Sequence, residues 1–579
     1  MIEYEKIERA IGQNWYELDP ALQSRVRADC PPEDLEWAEA KLSDFGQLVG
    51  DRIARNADVI DAAPPRLERY DRWANEVGEV VHHPAALDSK SALWATGYVS
   101  GFEAEAAGRG RPAPAVVLAA SNYLLSQADT GMVCSLGMTS GVASLVESYA
   151  PEDLRQELLA KLRASSMDGG ADGSMYLTER DGGSDLGATV HCTARDIGDG
   201  RVLIEGEKWF CSNIDGAAIV MLARPEGAPA GPQGLGLYLV PRLLEDGSPN
   251  SIVMRRLKPK LGTRSVPTGE VEFHGALGYA LRPRSPEGTA TGDAGGLNRM
   301  MEMVNGSRFG VAMMGLGIAR RSFLESALWA HHRRAKGRLL VDLPLVREQL
   351  VDLLVEVEAA LALGFECAAA SRRADGARLR RILVPAAKIR LCRLGVEAAS
   401  YAVELHGGNG YCEDWGLTRQ LRDAQCHPIW EGSENICALD VLRAIRRDAA
   451  HEALLARVDG VIGESPGGVL TSPAVETLAR ARLKLAESIA SMQGLVDPDW
   501  AEAGAGRLSN LLVRTVSLAL LLEQSFESDD SRAGLVALRY ARRHFGGETL
   551  FDDAIAGIAG RQLLAYEPIS RATAEEAAA

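Results

Sequence analysis

The residue best placed to act as a base in this chain is Glu431, in the segment HPIWEGSENI. Trp430 precedes it and Gly432 follows. Ser433 is then an N-cap for a helix whose apolar residues Ile436, Leu439, Leu442 and Ile445 recur at helical spacing. A carboxylate just outside a helix N-terminus, beside a large ring, serves either as a general base or as a helix-capping surface acid. Residue types alone leave both open.

Three other segments have the chemistry to hold a ligand. YLTERDGGSD, Tyr176 to Asp185, ends an extended run at Leu177 and Thr178 and turns at Gly182, Gly183 and Ser184. The backbone N–H groups and hydroxyl of such a turn can bond the edge of a planar heterocycle or a phosphate, although the same residues also make ordinary loops. Asp185 reads as a turn or capping acid. GEKWFCSN, Gly206 to Asn213, sets Trp209 and Phe210 mid-strand close to Ser212, which suits a stacked ring or a strand core. HGGNGY, His406 to Tyr411, closes a helix, and its glycines either cap that helix or admit another molecule to the backbone around Asn409. His331, His332 and His427 lack ligand spacing, so no metal is assigned.

The elements that must position these residues follow from periodicity. The first 170 or so residues read as helices broken at Pro31-Pro32, Pro64-Pro65 and Pro112 to Pro114. From Ser174 to about Pro283 the runs VLIEGEKWF, AAIVMLA, LGLYLVP and GEVEFHG alternate with Gly- and Pro-containing turns, which predicts an antiparallel sheet domain. Long helices are expected over Leu297–Ser371, Arg378–Leu405 and Asn435–Glu452, and further helices after a linker near GESPGGVLTS. The order helices, strands, helices is that of an α+β class. The final ATAEEAAA is expected to fray.

A chain of 579 residues exceeds one hydrophobic core and predicts three or four domains. Its formal charge of -16 disfavours a nucleic-acid partner, and the stretch from 451 onward carries 12 basic against 18 acidic side chains. MIEYEKIERA lacks the basic and apolar regions of a signal peptide, and the apolar run Leu511 to Leu522, interrupted by Arg514, is too short to span a bilayer. Nine scattered cysteines with no CxxC pair suit a reducing compartment, so a cytoplasmic location with no membrane span is expected.

Together and in this order, the four segments resemble the acyl-CoA dehydrogenase flavoprotein family. LTERDGGSD is similar to its LTEPxxGSD, GEKWFCSN to its GxKxWIxN, HGGNGY to its xGGxGY and IWEGSENI to its IYEGTxxI. Within the family, PPRLERYDRWANEVGEVVHHP, RLKPKLGTRS, HPIWEGSENICALDVLR and the long C-terminal extension resemble the AidB-like subgroup. The resemblance implies an N-terminal helical domain over 1–173, a middle antiparallel β domain over 174–290, a C-terminal four-helix-bundle domain over 291–450 and an added helical extension over 451–579.

It also implies FAD, with an acyl-CoA desaturated between its α and β carbons. Glu431 would take the α-proton while the β-hydrogen leaves as hydride to flavin N5, and the Glu431 backbone N–H would help hold the thioester oxygen. Leu177, Thr178, Gly183 and Ser184 match a loop against the flavin edge and pyrophosphate, Phe210 a ring-packing tryptophan and Ser212 a flavin-bonding hydroxyl. Ser433 and Asn435 match cofactor contacts near the Glu431 turn. Arg333 matches an arginine that bonds pyrophosphate from a neighbouring subunit, and Gly407, Gly408, Asn409 and Gly410 match a loop near that subunit's adenine, which implies a homodimer or homotetramer.

An electron-transfer flavoprotein is the implied acceptor, in fatty acid metabolism. Arg308 matches a family arginine that steadies the catalytic region, or makes a structural ion pair. Lys336 stands where the family packs an aromatic residue, and Ser285 to Gly296 departs from its usual GExGxG. Two other functions share the resemblance: a DNA-associated protective flavoprotein, and a flavin oxidase or monooxygenase on a non-CoA substrate.

Overall fold

In the computed structural model, which describes residues 9–103, 108–283, 295–373, 375–528, 530–546 and 553–579, the chain forms two units. One comprises Arg52–Ala113 and Asp129–Gly310; the other comprises the residues up to Asp51, Pro114–Ala128 and Val311–Ala579. Residues 284–294, which include most of the irregular Ser285–Gly296 segment, lie outside the described residues.

The first unit is built on a sheet whose strands alternate two apolar faces. Its strands are β3 (Gly173–Tyr176), β4 (Thr193–Gly198), β5 (Arg201–Ser212), β6 (Ala218–Pro225), β7 (Gly236–Pro241), β8 (Ile252–Leu257) and β9 (Thr268–Ala280); β1 (Arg66–Tyr70) and β2 (Glu76–Val81) form a separate hairpin. Along β6, Ile219, Met221 and Ala223 enter a core with Val202, Ile204, Tyr238 and Phe273. Ala218, Val220 and Leu222 enter a second core with Val142, Val146 and Leu239, so β6 is apolar on both faces.

Antiparallel pairings join β4 to β5, β5 to β9, β9 to β7 and β7 to β6, while β4 meets β6 in parallel, so the ring of strands closes. The expected sheet is therefore mostly antiparallel, with two parallel pairings, β3–β6 and β4–β6, that alternation alone does not reveal.

The second unit is helical, with Pro344–Ala369, Gly376–Leu405, Ser472–Gln493 and Pro498–Phe526 among its longest elements and the shorter Glu434–Arg446 beside them. Glycines let backbones meet there: a Cβ on Gly315 would lie 2.6 Å from the Cys392 Cα, and one on Gly395 would lie 2.7 Å from the Gly315 carbonyl. Pro498–Phe526 is the one described helix long and apolar enough to cross a membrane by length and composition, and 72% of its apolar window is buried. It packs on Pro344–Ala369, Gly376–Leu405 and Glu434–Arg446.

Four expectations are corrected. The N-terminal helical region contains the β1–β2 hairpin, whose edges carry charged residues on a short period-two pattern. The helix expected over Leu297–Ser371 ends at His332, because Lys336 and Gly337 adopt left-handed φ of 50° and 76° and turn a two-stranded hairpin before Pro344 restarts the helix. The helix expected over Asn435–Glu452 stops at Arg446 and resumes at Ala450, past a left-handed Ala449. The terminal ATAEEAAA does not fray: Arg571–Ala578 is a helix capped by Ser570, with Ala574, Ala577 and Ala578 buried.

Candidate active site

Two sequence-predicted segments meet in the sheet unit. The Trp209 N–H donates to the Thr178 carbonyl at 2.9 Å, which ties the Tyr176–Asp185 loop to β5. Beneath them Lys208, fully buried, pairs with Glu179 at 2.7 Å and donates to the Leu177 carbonyl at 3.3 Å. The Glu179 carboxylate also accepts from the His191 and Cys192 N–H groups, so the buried charges are paired and hydrogen-bonded. Sequence reading singled out neither Lys208 nor Glu179; the available signal was a lysine on the inward phase of a strand.

Gly183 presses on Thr178, where a Cβ would lie 2.4 Å from the threonine Oγ1. Gly182 has φ of 115°, Ser184 is exposed, and Asp185 caps Leu186–Thr189 through the Ala188 N–H. Phe210 is 54% exposed although it is mid-strand, with the Lys258 Nζ 4.8 Å from its ring and 3.7 Å from that of Trp209. Half-buried Ser212 shares a 3.0 Å hydroxyl contact with Thr268. A ring left bare beside a hydroxyl and a Gly-Gly-Ser turn fits a planar heterocycle with polar edges.

Glu431 belongs to the helical unit. It is half-buried in the turn between Leu417–Ala424 and Glu434–Arg446, with φ of 54°, followed by Gly432 at 99°. Ser433 caps the next helix by accepting from the Ile436 N–H at 3.4 Å, and Asn435 lies exposed in its first turn. The turn is pinned from below by Lys388, fully buried, whose Nζ donates to the Pro428 carbonyl at 3.0 Å and the Gly432 carbonyl at 2.5 Å. His427 is also fully buried, and neither ring nitrogen has a hydrogen-bond partner. Burial, with the Lys388 charge adding to it, pushes its pKa down to about 3. Lys388 was legible only as a lone lysine in the apolar VPAAKIRL run.

Arg333 and the glycine loop come together in the same unit. Trp329, one helical turn before Arg333, stacks on His406 with ring centroids 4.7 Å apart, and Trp415 meets Trp329 edge-on at 5.5 Å. Gly407 and Gly408 are exposed with open space at their Cβ positions, Asn409 is half-buried, and Gly410 is buried against the Val403 carbonyl. Arg333 is half-buried and Lys336 exposed at the hairpin turn, which accounts for the missing aromatic. Arg308 is buried and donates to the Asn305 side chain. Arg422 bonds Glu413 at 2.7 Å, and Asp423 faces Arg419 at 3.5 Å.

The sequence matches the model of the acyl-CoA dehydrogenase middle domain over residues 174–276, that of the acyl-CoA dehydrogenase C-terminal domain over 294–446 and that of the adaptive response protein AidB N-terminal domain over 6–169. It is 34% identical over 460 residues to the putative acyl-CoA dehydrogenase AidB of Escherichia coli, spanning 77% of this chain and 80% of that protein. It is 28% identical over 572 residues to acyl-CoA dehydrogenase family member 11 of Caenorhabditis elegans, spanning 93% of this chain and 88% of that protein. The crystal structure of Caenorhabditis elegans ACDH-11 in complex with C11-CoA matches with a TM-score of 0.86 and 27% identity, covering 94% of each chain.

Proposed function

The chain belongs to the acyl-CoA dehydrogenase family, in its AidB-like branch, and from that premise we propose that it is an FAD-dependent enzyme that desaturates an acyl-CoA thioester between its α and β carbons. FAD, when bound, supplies the two-electron sink that takes the β-hydrogen as hydride at N5. Leu177, Thr178, Gly183 and Ser184 would hold its edge, with Phe210 as the ring to pack on it and Ser212 as the hydroxyl to bond it. Ser433 and Asn435 would add contacts beside the Glu431 turn.

The α-proton is the one the chain itself must move. Glu431 removes it, and the Glu431 N–H stabilises the charge that develops on the thioester oxygen. The observation that carries this reading is the Glu431 backbone: a non-glycine carboxylate held left-handed and half-buried in a turn that a buried lysine clamps. Strain retained at a carboxylate fits function better than capping, since Ser433 already caps the helix. The C11-CoA bound by the Caenorhabditis elegans protein supports an acyl-CoA as the ligand class.

Arg333 and the Gly407–Gly410 loop serve the cofactor of a neighbouring subunit, in a homodimer or homotetramer. Electrons pass on to an electron-transfer flavoprotein in a cytoplasmic pathway of fatty acid metabolism. The test is bleaching of the flavin by a panel of acyl-CoAs. One member should bleach the native protein, while Glu431→Gln should keep its FAD and lose bleaching by at least about 100-fold. A Glu431→Gln protein that bleaches at the native rate overturns the assignment.

A further inference from the structure

The loop RLKPKLGTRSVPT meets the cofactor side of the sheet unit through Lys258, whose ammonium lies over the Trp209 and Phe210 rings, and through a second contact, at Thr268, that carries no role in the chemistry described so far. Ser212, last in β5, is the register partner of Thr268, first in β9, and their hydroxyl oxygens are 3.0 Å apart. Either hydroxyl can donate in that contact. Lys260 decides between the two possibilities. Its Nζ donates to the Thr263 carbonyl at 2.6 Å, the Val266 carbonyl at 2.7 Å, the Thr268 Oγ1 at 3.2 Å and, more weakly, the Thr263 Oγ1 at 3.4 Å.

The loop is shaped to hold the ammonium there. Thr263, buried, takes a left-handed φ of 50° that brings its carbonyl onto the lysine, and the Lys258 N–H donates to the Thr268 carbonyl to close the loop neck. An ammonium has donors and no acceptor, so the Thr268 Oγ1 accepts a hydrogen bond from Lys260 and its own O–H needs an acceptor elsewhere. Among the described residues, the Ser212 oxygen is the acceptor in reach of that O–H. With that lone pair occupied, the Ser212 proton points away from Thr268.

We propose that Lys260, acting through Thr268, fixes the Ser212 hydroxyl as a donor toward the cofactor edge, so that Lys260 and Thr268 are positioning residues for FAD. The inference rests on the assignment of Ser212 to the cofactor made above. A hydroxyl that rotates freely must be ordered when it binds, whereas one already oriented meets an acceptor atom without that cost. The same device makes the site selective, because a ligand edge that presents a donor to Ser212 meets another donor.

FAD titration of deflavinated protein, followed by tryptophan quenching, measures the effect without turnover. Thr268→Val keeps the side-chain shape and the two Lys260–carbonyl bonds but breaks the relay. It should weaken FAD binding by about three- to tenfold, while Thr268→Ser restores native affinity. Lys260→Met should weaken binding by a similar factor, and the two changes together should cost no more than one. In a Ser212→Ala background, Thr268→Val should have no further effect.

Native affinity in Thr268→Val, or losses that multiply in the Ser212→Ala background, overturns the relay while leaving the cofactor assignment standing. Native protein that takes up no FAD overturns that assignment, and the relay with it.

Discussion

At Glu431 the backbone sits in a region where a side chain costs about 1 kcal/mol relative to glycine. Nearby His427 shows the reverse economy: a titratable ring fully buried with both nitrogens unpartnered. Because burial and Lys388 lower its pKa to about 3 from 6.5, the folded protein holds the ring neutral where the unfolded chain takes a proton. The sign follows directly. The contribution is fully present above pH 6.5, and stability then falls with pH by about 1.4 kcal/mol per unit until the folded group itself titrates. Urea melts of native protein and His427→Phe between neutral pH and pH 5 should therefore diverge, with the variant losing less stability on acidification. Parallel pH profiles would show that the ring is protonated or solvated in the folded state.

Elements hold these residues by a few buried cations. Lys388 joins Gly376–Leu405 to both ends of the Glu431 turn, so Lys388→Met leaves the Pro428 and Gly432 carbonyls without that donor. The loss should destabilise by about 2–4 kcal/mol and, by loosening the turn that carries Glu431, lower kcat by about 10- to 100-fold. FAD content and a full acyl-CoA titration check the expectation; kcat unchanged at saturation would leave Lys388 a stability residue only. Such cations are where the sequence was least legible. β5, β6, β7 and β9 were readable because β-branched and apolar runs are bounded by glycine and proline turns, and Ser433 announced the helix that positions Glu431. By contrast, β4 and β8 are short and charged, the parallel β4–β6 contact that closes the ring is non-local, and the Lys336-Gly337 turn sits inside an otherwise helical pattern. Lys208 and Lys388 went unseen because a lysine normally reads as solvent-facing; only the tertiary fold supplies Glu179 and the turn carbonyls that make their burial tolerable.

On the scale of the helical unit, the C-terminal extension is bound to the Pro344–Ala369 helix through charge as well as apolar packing. Arg457, Arg532, Arg539, Arg543 and His544 pair with Glu366, Glu358, Glu348, Asp352 and Glu356 on that one helix. With Arg482, Arg542, Arg561 and Arg571, at least eight of the extension's twelve arginines and lysines are engaged by carboxylates of the described residues. Those pairs make the extension a brace for the helices it packs on, and a phosphate backbone would compete with the same carboxylates for these arginines. Arg532 tests the brace most directly. Its guanidinium forks onto Glu358, which is 6% exposed, donates to the Leu563 carbonyl and lies 4.3 Å over the Tyr566 ring. Arg532→Met removes the partner and leaves the carboxylate buried, which should destabilise by about 3–5 kcal/mol and lower Tm, whereas adding Glu358→Gln removes the stranded charge and should recover much of the loss. Thermal unfolding of the two variants decides it. A double variant no more stable than Arg532→Met alone would place the contribution in the packing against Tyr566 and not in the ion pair.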